Sequence, residues 1–263
     1  MANYEHILLE VRDAVAYLTL NRPDAANTIQ REICRELMEA TILIDEDPDV
    51  RAVVLGGKGK MFSGGGDLKT FSGQGERLPA YAKEVTTYLH AAVSRLTRMD
   101  APVVAAVHAT AAGAGMSLVC ACDFVIAAKS AKFTMAYTKA GLTPDGSSTY
   151  FLPRIVGLRR ALELSLTNRM LSADEAADLG IVTRVVPDAE VHEAAGAFAR
   201  DLANGATRAY GLTKRLMHQS FVETLETQME LESRAIADIM RTDDAKEGVD
   251  AFVTKRTPKF RGR

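Results

Sequence analysis

The stretch APVVAAVHATAAGAGMSLVCACD, residues 101–123, holds the pattern that decides the fold class. It opens with a short apolar run, which is typical of a strand buried on both faces. Alanine and glycine residues then form a small-residue turn, and the apolar segment after the turn predicts a helix. Strands that alternate with helices indicate a parallel sheet with crossover connections, so we predict an α/β fold.

The sequence before this stretch fits the same scheme. HILLEVRDAVAYLTLNRP predicts a hairpin of two strands joined at Arg12 and Asp13. NTIQREICRELMEATILID predicts an amphipathic helix, for which Asn27 or Thr28 could provide the N-terminal cap. The apolar face of that helix is expected to contain Ile29, Ile33, Leu37, Ala40 and Ile44.

Further elements extend the alternation to about Val186. Strands are predicted at VRAVVLGG, FVIAA and KFTMAY, and a second amphipathic helix at LPAYAKEVTTYLHAAVSRLTRM. From residue 187 to residue 241 the pattern is almost wholly helical, with long polar faces. We therefore expect a core at residues 1–186 and a C-terminal helical region at residues 187–263.

The composition limits the function classes. The 263 residues carry a formal charge of −2, with 47% apolar and 25% charged residues, which fits one large globular domain or a domain with a small appendage. This charge gives no support for a nucleic-acid partner, and no apolar run approaches the ~20 residues of a membrane span. Cys34, Cys120 and Cys122 lack metal-ligand spacing, so we expect reduced core thiols in a cytoplasmic protein. The first residues show no cleavable signal pattern, which agrees with that expectation.

A second glycine-rich turn, MFSGGGDLKTF at residues 61–71, resembles the first in its design. Each turn follows an apolar strand and consists of small residues that allow a ligand to approach the backbone. Free N–H groups on two adjacent turns could point at one oxygen atom and form an oxyanion hole. The spacing matches neither the dinucleotide-binding fingerprint nor a phosphate-binding P-loop.

Five segments occur in an order that resembles the crotonase superfamily, the enoyl-CoA hydratases and isomerases. They are NRPDAANTI, RAVVLGGKGKMFSGGGDLK, APVVAAVHATAAGAGMSL, CDFVIAAKSAKFTMAYTKAGLTPDGSST and LSADEAADLGIVTRVVP. The resemblance implies a spiral of ββα units with the active site in the core, and a C-terminal helical region used for trimerisation. It also implies a coenzyme A thioester as the substrate, a homotrimer or dimer of trimers, and no metal or redox cofactor.

The same resemblance assigns site residues by motif. The oxyanion-hole amides would be those of Gly66 and Ala114. The coenzyme A channel would be lined by Gly64, Asp67, Leu68 and Lys69, with Ala26 near the nucleotide end.

Two glutamates that hydratases of this family use are absent here, because their positions hold Ser117 and Tyr137. Neither hydroxyl is a useful base near neutral pH, which disfavours hydration of a double bond. Tyr137 is instead expected to shape the acyl pocket or to donate a hydrogen bond.

Asp145, in the turn TPDGSST, is the expected catalytic carboxylate. The resemblance is strongest to isomerases of the ring-1,2-epoxyphenylacetyl-CoA type, which share KAGLTPD and the C-terminal EGVDAFVTKRTPKFRG pattern. One carboxylate suits isomerisation, because it can take a proton from one carbon and return it to another. We expect apolar surroundings from Leu142, Tyr150, Phe151 and Leu152. Relatives usually have glycines where this chain has Ser147 and Ser148, so we expect a smaller and more polar acyl pocket.

Three alternatives remain open. A hydrolytic aroyl-CoA dehalogenase would use Asp145 as a nucleophile, with Tyr137 and His90 at the corresponding places. An enoyl-CoA hydratase would need a different source of acid and base. A non-catalytic acyl-CoA binder would keep the pocket without turnover.

Overall fold

The computed structural model describes residues 4–262, and within them ten strands form two sheets. The strands are β1 (Ile7–Arg12), β2 (Val15–Leu20), β3 (Ala52–Gly57), β4 (Met61–Ser63), β5 (Val103–Val107), β6 (Thr110–Ala112), β7 (Phe124–Ala128), β8 (Lys132–Thr134), β9 (Leu171–Ser172) and β10 (Arg184–Val186). The larger sheet has the order β1-β2-β3-β5-β7-β10, and the smaller has the order β4-β6-β8-β9. Neighbouring strands are parallel except for the pairs β1–β2 and β8–β9.

Eleven α-helices connect or follow the strands of the described chain. They are α1 (Arg31–Glu46), α2 (Leu68–Ser72), α3 (Leu78–Arg98), α4 (Ala114–Ala121), α5 (Ser148–Val156), α6 (Leu158–Thr167), α7 (Ala173–Asp178), α8 (Val191–Ala203), α9 (Thr207–Gln219), α10 (Leu225–Ile239) and α11 (Asp243–Val253). None of the helices described is long and apolar enough to cross a membrane.

The predicted hairpin is confirmed, and its turn lies one residue later than expected. Asp13 and Ala14 form the turn, both with positive φ, and this conformation suits the right-handed twist of the flanking strands. The strands β3 and β5 are buried along their whole length, as their apolar runs predict.

The predicted N-terminal cap of α1 is wrong. The helix begins at Arg31, while Ile29 pairs with Gly66 in an isolated β-bridge. The Asn27 side chain binds backbone groups of a distant loop instead of capping the helix. The rest of the apolar face behaves as predicted, because Ile33, Leu37, Ala40 and Ile44 are buried.

The core lies between the larger sheet and the helices that cover it. Helices α1 and α3 pack against each other, and α8 packs against the strands β2, β3, β5 and β7. In the predicted C-terminal helical region, α8 therefore packs on the sheet, whereas α9 contacts α3 and α10 packs on α9. Cys34 and Cys120 are buried free thiols, and Cys122 is half-buried and also free.

Candidate active site

The two glycine-rich turns follow adjacent strands, as the sequence predicts. Strands β4 and β6 pair in parallel, with Met61 opposite Thr110 and Ser63 opposite Ala111. The first turn continues from β4 to α2, and the second continues from β6 into α4. Parallel pairing places both turns at the same edge of the smaller sheet.

The backbones of the two turns are in direct contact, and only glycine fits at two positions. Gly65 and Gly113 have φ values of +87° and +53°. A Cβ atom on Gly65 would lie 2.8 Å from the Ala112 carbonyl oxygen and 3.3 Å from the Ala114 nitrogen. One on Gly113 would lie 4.0 Å from the Gly66 nitrogen. The absence of side chains therefore brings the two turns together.

Gly66 and Ala114 line the same cavity of about 270 Å³. Among the described residues, no acceptor binds the Gly66 N–H. The Ala114 N–H is the first of α4 and has no acceptor within that helix. Two free amide donors on the wall of one cavity are the arrangement that an oxyanion hole requires.

A buried polar network holds the first turn. The Asn27 side-chain amide donates to the carbonyl oxygens of Lys58, Met61 and Phe62, at 2.8, 2.9 and 3.1 Å. The Ser63 hydroxyl donates to the Asn27 carbonyl oxygen at 2.8 Å and accepts from the Gly65 N–H at 3.2 Å. These bonds connect the loop before β4 to the loop before α1.

The Asp67 carboxylate, at a position predicted to line the coenzyme A channel, has a structural role. Its Oδ2 accepts from both Nη atoms of Arg22 at 3.2 Å and from the Thr28 hydroxyl at 3.1 Å, while Oδ1 caps α2 through Thr70 N–H. Burial acts to raise the pKa of Asp67, but these hydrogen bonds outweigh it and keep the pKa below its ordinary value. The carboxylate is therefore engaged by the protein and does not line the cavity.

The other residues assigned to the coenzyme A channel lie around the first turn. Leu68 and Lys69 are exposed on α2, and Leu68 lines the cavity with Gly64. Ala26 has a left-handed backbone, and its carbonyl oxygen accepts from Gly64 N–H at 2.8 Å. The Ala26 Cβ would lie 3.6 Å from a Cβ on Gly64.

Asp145 lies on the wall of the same cavity and is the end of a hydrogen-bonded chain. The Tyr137 hydroxyl donates to Asp145 Oδ1 at 2.6 Å, and Ser117 Oγ lies 2.8 Å from the same hydroxyl. Ser117 is fully buried and Tyr137 is 9% exposed. Burial, followed by the nearby Asp145 carboxylate, raises the pKa of Tyr137 above its ordinary value. The phenol therefore remains a hydrogen-bond donor at any working pH.

His90 of α3 contacts the turn that carries Asp145. The Gly146 N–H donates to His90 Nε2 at 3.2 Å, so Nε2 carries the lone pair and the ring proton is on Nδ1. In this arrangement the ring has no free lone pair that could take a proton from water.

The apolar surroundings predicted for Asp145 are present only in part. Leu142 lines the same cavity as Asp145 but is 41% exposed, Tyr150 is 37% exposed and Phe151 is half-buried, whereas Leu152 is buried. Residues that are neighbours in a turn point in different directions, and only some of them face the interior. Asp145 also lines a second cavity of about 750 Å³, together with Ser147 and Thr149, and Ser148 is buried with its hydroxyl donating to the Asp145 carbonyl oxygen.

The apolar walls of the smaller cavity were not assigned from the sequence. They include Ile29, Phe71, Val85 and Leu89. Val85 and Leu89 are one turn apart on the buried face of α3, and that spacing identifies a buried face but not the cavity that it borders.

Comparison with known proteins identifies the family of the chain. A family model described as enoyl-CoA hydratase/isomerase matches residues 10–263. The chain is similar to a 1,2-epoxyphenylacetyl-CoA isomerase of Escherichia coli (strain K12), with 38% identity over 261 residues that cover 98% of this chain and 99% of that protein. It is also similar to 4-chlorobenzoyl coenzyme A dehalogenase-2 of Arthrobacter sp., with 37% identity covering 86% of this chain and 83% of the relative.

Solved structures give the same result for the fold. An enoyl-CoA hydratase from Polaromonas sp. JS666 superposes with a TM-score of 0.92 at 32% identity, covering 96% of this chain and 98% of the other. The chain therefore belongs to the enoyl-CoA hydratase/isomerase family and has the crotonase fold that its motifs predict.

Proposed function

We propose that the protein is an acyl-CoA isomerase that moves a double bond in a coenzyme A thioester, with Asp145 as its single acid/base. The family supports an acyl-CoA hydratase, isomerase or dehalogenase activity. The observation that carries the narrower proposal is that the Asp145 turn and the amides of Gly66 and Ala114 line one cavity. No metal or redox cofactor is required for this reaction.

The proposed reaction moves one proton. The two amides donate hydrogen bonds to the thioester carbonyl oxygen, while the Asp145 carboxylate removes a proton from the adjacent carbon. The electron pair of that C–H bond enters a dienolate, whose negative oxygen the amides stabilise by ~3 kcal/mol each. The carboxyl group then returns the proton to the carbon two bonds further along the acyl chain, so the double bond becomes conjugated with the carbonyl.

The groups at the hydratase positions do not favour addition of water. Ser117 is buried in α4 and bonded to Tyr137, and Tyr137 is bonded to Asp145. Because burial raises the pKa of Tyr137, the phenol does not act as a base near neutral pH.

The test offers a 3-enoyl-CoA and a 2-enoyl-CoA to the wild-type protein and to Asp145→Asn. We expect the wild type to convert the 3-enoyl ester into the conjugated isomer, and the variant to be about 10²- to 10⁴-fold slower. Fast hydration of the 2-enoyl ester, or an unimpaired variant, would contradict the proposal. Binding of coenzyme A esters in calorimetry without turnover of any ester would indicate a non-catalytic binder.

A hydrolytic dehalogenase is the second candidate, because Asp145, Tyr137 and His90 occupy matching positions and the chain is similar to a 4-chlorobenzoyl coenzyme A dehalogenase. The geometry of His90 counts against it, since Gly146 N–H occupies the lone pair that would activate water. Chloride release from 4-chlorobenzoyl-CoA measures this activity directly, and we expect none above background.

We also propose that the active form is a homotrimer or a dimer of trimers. Large apolar side chains are exposed on α6, α10 and α11, and clusters of this kind commonly mark subunit interfaces. The exposed residues on these helices are Leu158, Leu162, Leu166, Leu225, Met229, Ile236, Val249, Phe252 and Val253. Light scattering should give the mass of three or six chains. A panel of aromatic and fatty acyl-CoA esters would then identify the acyl group, for which phenylacetate-derived esters are our first expectation.

A further inference from the structure

We infer that Tyr137 is a positioning residue that, with Ser117, fixes the Asp145 carboxylate and leaves only its Oδ2 atom to carry the shuttled proton. The inference rests on the proposed function, because it assumes that Asp145 transfers the proton. Ser117 and Tyr137 occupy the two positions at which hydratases of this family use glutamates. The proposed reaction gives these two residues no other role.

The direction of the hydrogen bonds follows from the groups involved. An ionised carboxylate only accepts, so the single hydroxyl hydrogen of Tyr137 is directed to Asp145 Oδ1, at 2.6 Å. Tyr137 Oη must then accept a hydrogen bond from the Ser117 hydroxyl, whose Oγ lies 2.8 Å from it. The other acceptor near Ser117 Oγ is the Gly113 carbonyl oxygen, which is more distant at 3.3 Å. Hydrogen bonds in such a chain polarise one another and strengthen the terminal bond to the carboxylate.

The chain connects the two halves of the site. Ser117 belongs to α4, whose first amide is the Ala114 donor, so the helix that carries the donor also orients the base. Among the described residues, Asp145 Oδ2 accepts no hydrogen bond. A proton that arrives on the carboxyl group is therefore best accommodated on Oδ2, because Oδ1 is already occupied by the phenol.

Removing the Tyr137 hydroxyl disfavours the ionised carboxylate, since a hydrogen bond to the charged form stabilises that form. Other titratable or charged groups near Asp145 come from four helices. They are Cys34 on α1, His90 and Arg98 on α3, Tyr150 on α5, and Arg215 and His218 on α9. All of these groups remain in a Tyr137→Phe protein, so a change of the titration reports on the lost hydroxyl.

The experiment measures kcat/KM for the 3-enoyl-CoA from pH 4.5 to 9 in the wild type, Tyr137→Phe and Ser117→Ala. We expect the acid limb of the Tyr137→Phe profile to move to higher pH by about 0.5 to 1 unit, and that of Ser117→Ala to move less. Site-specific replacement of Tyr137 by 3-fluorotyrosine keeps the shape of the ring and strengthens the donor, so the limb should move to lower pH. If kcat falls in these proteins while the acid limb of the pH profile stays at the same pH, the inference is wrong and Tyr137 contributes only to packing.

A second readout separates this inference from the proposed function. The titration of Asp145 can be followed in the free protein through the ¹³C NMR signal of its carboxyl carbon. The signal is assigned by its absence from the spectrum of Asp145→Asn. Its midpoint should rise in Tyr137→Phe whether or not the enzyme isomerises the ester. If the wild type fails to isomerise and the midpoint still rises, the proposed reaction is wrong and the positioning role stands. If the midpoint is unchanged in an active isomerase, the positioning role is wrong.

Discussion

The glycine turn, residues 64–66, and the aspartate turn, residues 144–148, serve the same cavity but are held in different ways. The glycine turn is in backbone contact with the second turn, and buried polar groups support it from two sides. The aspartate turn depends on a few side-chain contacts, chiefly those of Tyr137 and His90, and its residues, Asp145 included, also line a cavity of about 750 Å³. The proposed oxyanion donors are thus built into the fold, whereas the proposed acid/base is placed by exchangeable side chains. This difference explains how one scaffold can support several reactions.

The largest expected effect is that of Gly65→Ala, which tests whether the glycine turn tolerates a methyl group where it contacts the second turn. A methyl group at φ +87° would meet the Ala112 carbonyl oxygen at 2.8 Å and must push the two turns apart. We expect kcat/KM to fall by about 10²- to 10³-fold, as for loss of an oxyanion donor. Steady-state isomerisation kinetics would measure this.

Gly75→Ala is the matched control, because Gly75 also has positive φ, at +53°, but nothing lies within 4 Å of the added methyl group. It should lose about 1 kcal/mol of stability through backbone strain and keep its activity. A Gly65→Ala enzyme with nearly wild-type kcat/KM would show that the close approach of the turns is not needed.

The second prediction concerns Asp67→Asn, which removes the negative charge that pairs with Arg22 beside the glycine turn. Arg22 would lose its partner in a largely buried site, and we expect the free energy of unfolding at pH 7 to fall by about 2 kcal/mol. Because the folded-state pKa of Asp67 is depressed, its contribution is complete above the ordinary aspartate pKa and disappears as the pH falls through the folded value. The difference between wild type and variant should therefore shrink on acidification below about pH 4.

Urea unfolding at several pH values would measure this difference. Asp24→Asn, at an exposed position in the preceding turn, should change stability by less than about 0.5 kcal/mol at every pH. A stability difference for Asp67→Asn that persists unchanged at low pH would show that the carboxylate charge is not what supports the turn.

The smallest expected effect is that of Ser147→Gly in the aspartate turn. Ser147 has φ +73°, a conformation that glycine adopts without the steric cost of a side chain. We expect the variant to be more stable by about 1 kcal/mol, seen as a Tm increase of about 2–4 °C. The activity should change little, because Ser147 faces the larger cavity and not the amide donors.

Ser220→Gly provides the comparison, since Ser220 has φ −56°, and its replacement adds flexibility to the unfolded chain and removes the exposed hydrogen bond from its hydroxyl to the Met217 carbonyl oxygen. It should be slightly less stable than the wild type. A loss of stability in Ser147→Gly as well would mean that its hydroxyl contributes more than the strain of its backbone.

The parts of the fold that follow from local pattern were predictable from the sequence. The apolar runs gave the buried strands β3 and β5, and small residues after two strands gave the adjacent glycine turns. In both cases the property that matters, apolar content or absence of a side chain, is carried by the segment itself.

The parts that depend on distant partners were not predictable. Asn27 was expected to cap a helix, but its Oδ1, the atom that would accept in a cap, accepts from the Arg22 N–H at 2.8 Å. Asp67 was expected to line the coenzyme A channel, and no pattern in the sequence indicated that Arg22, 45 residues earlier, binds its carboxylate. Similarly, the exposure of Leu142 and Tyr150 depends on the path of the turn, which the apolar character of the residues does not determine.

The pairing of β4 with β6 has a consequence for the order in which the protein forms. About fifty residues separate these strands, so the loop between them must close before Gly66 and Ala114 can meet. The hairpin and the long helices require only nearby sequence and can assemble sooner. In refolding, competence for the proposed reaction should therefore return later than most of the helix content.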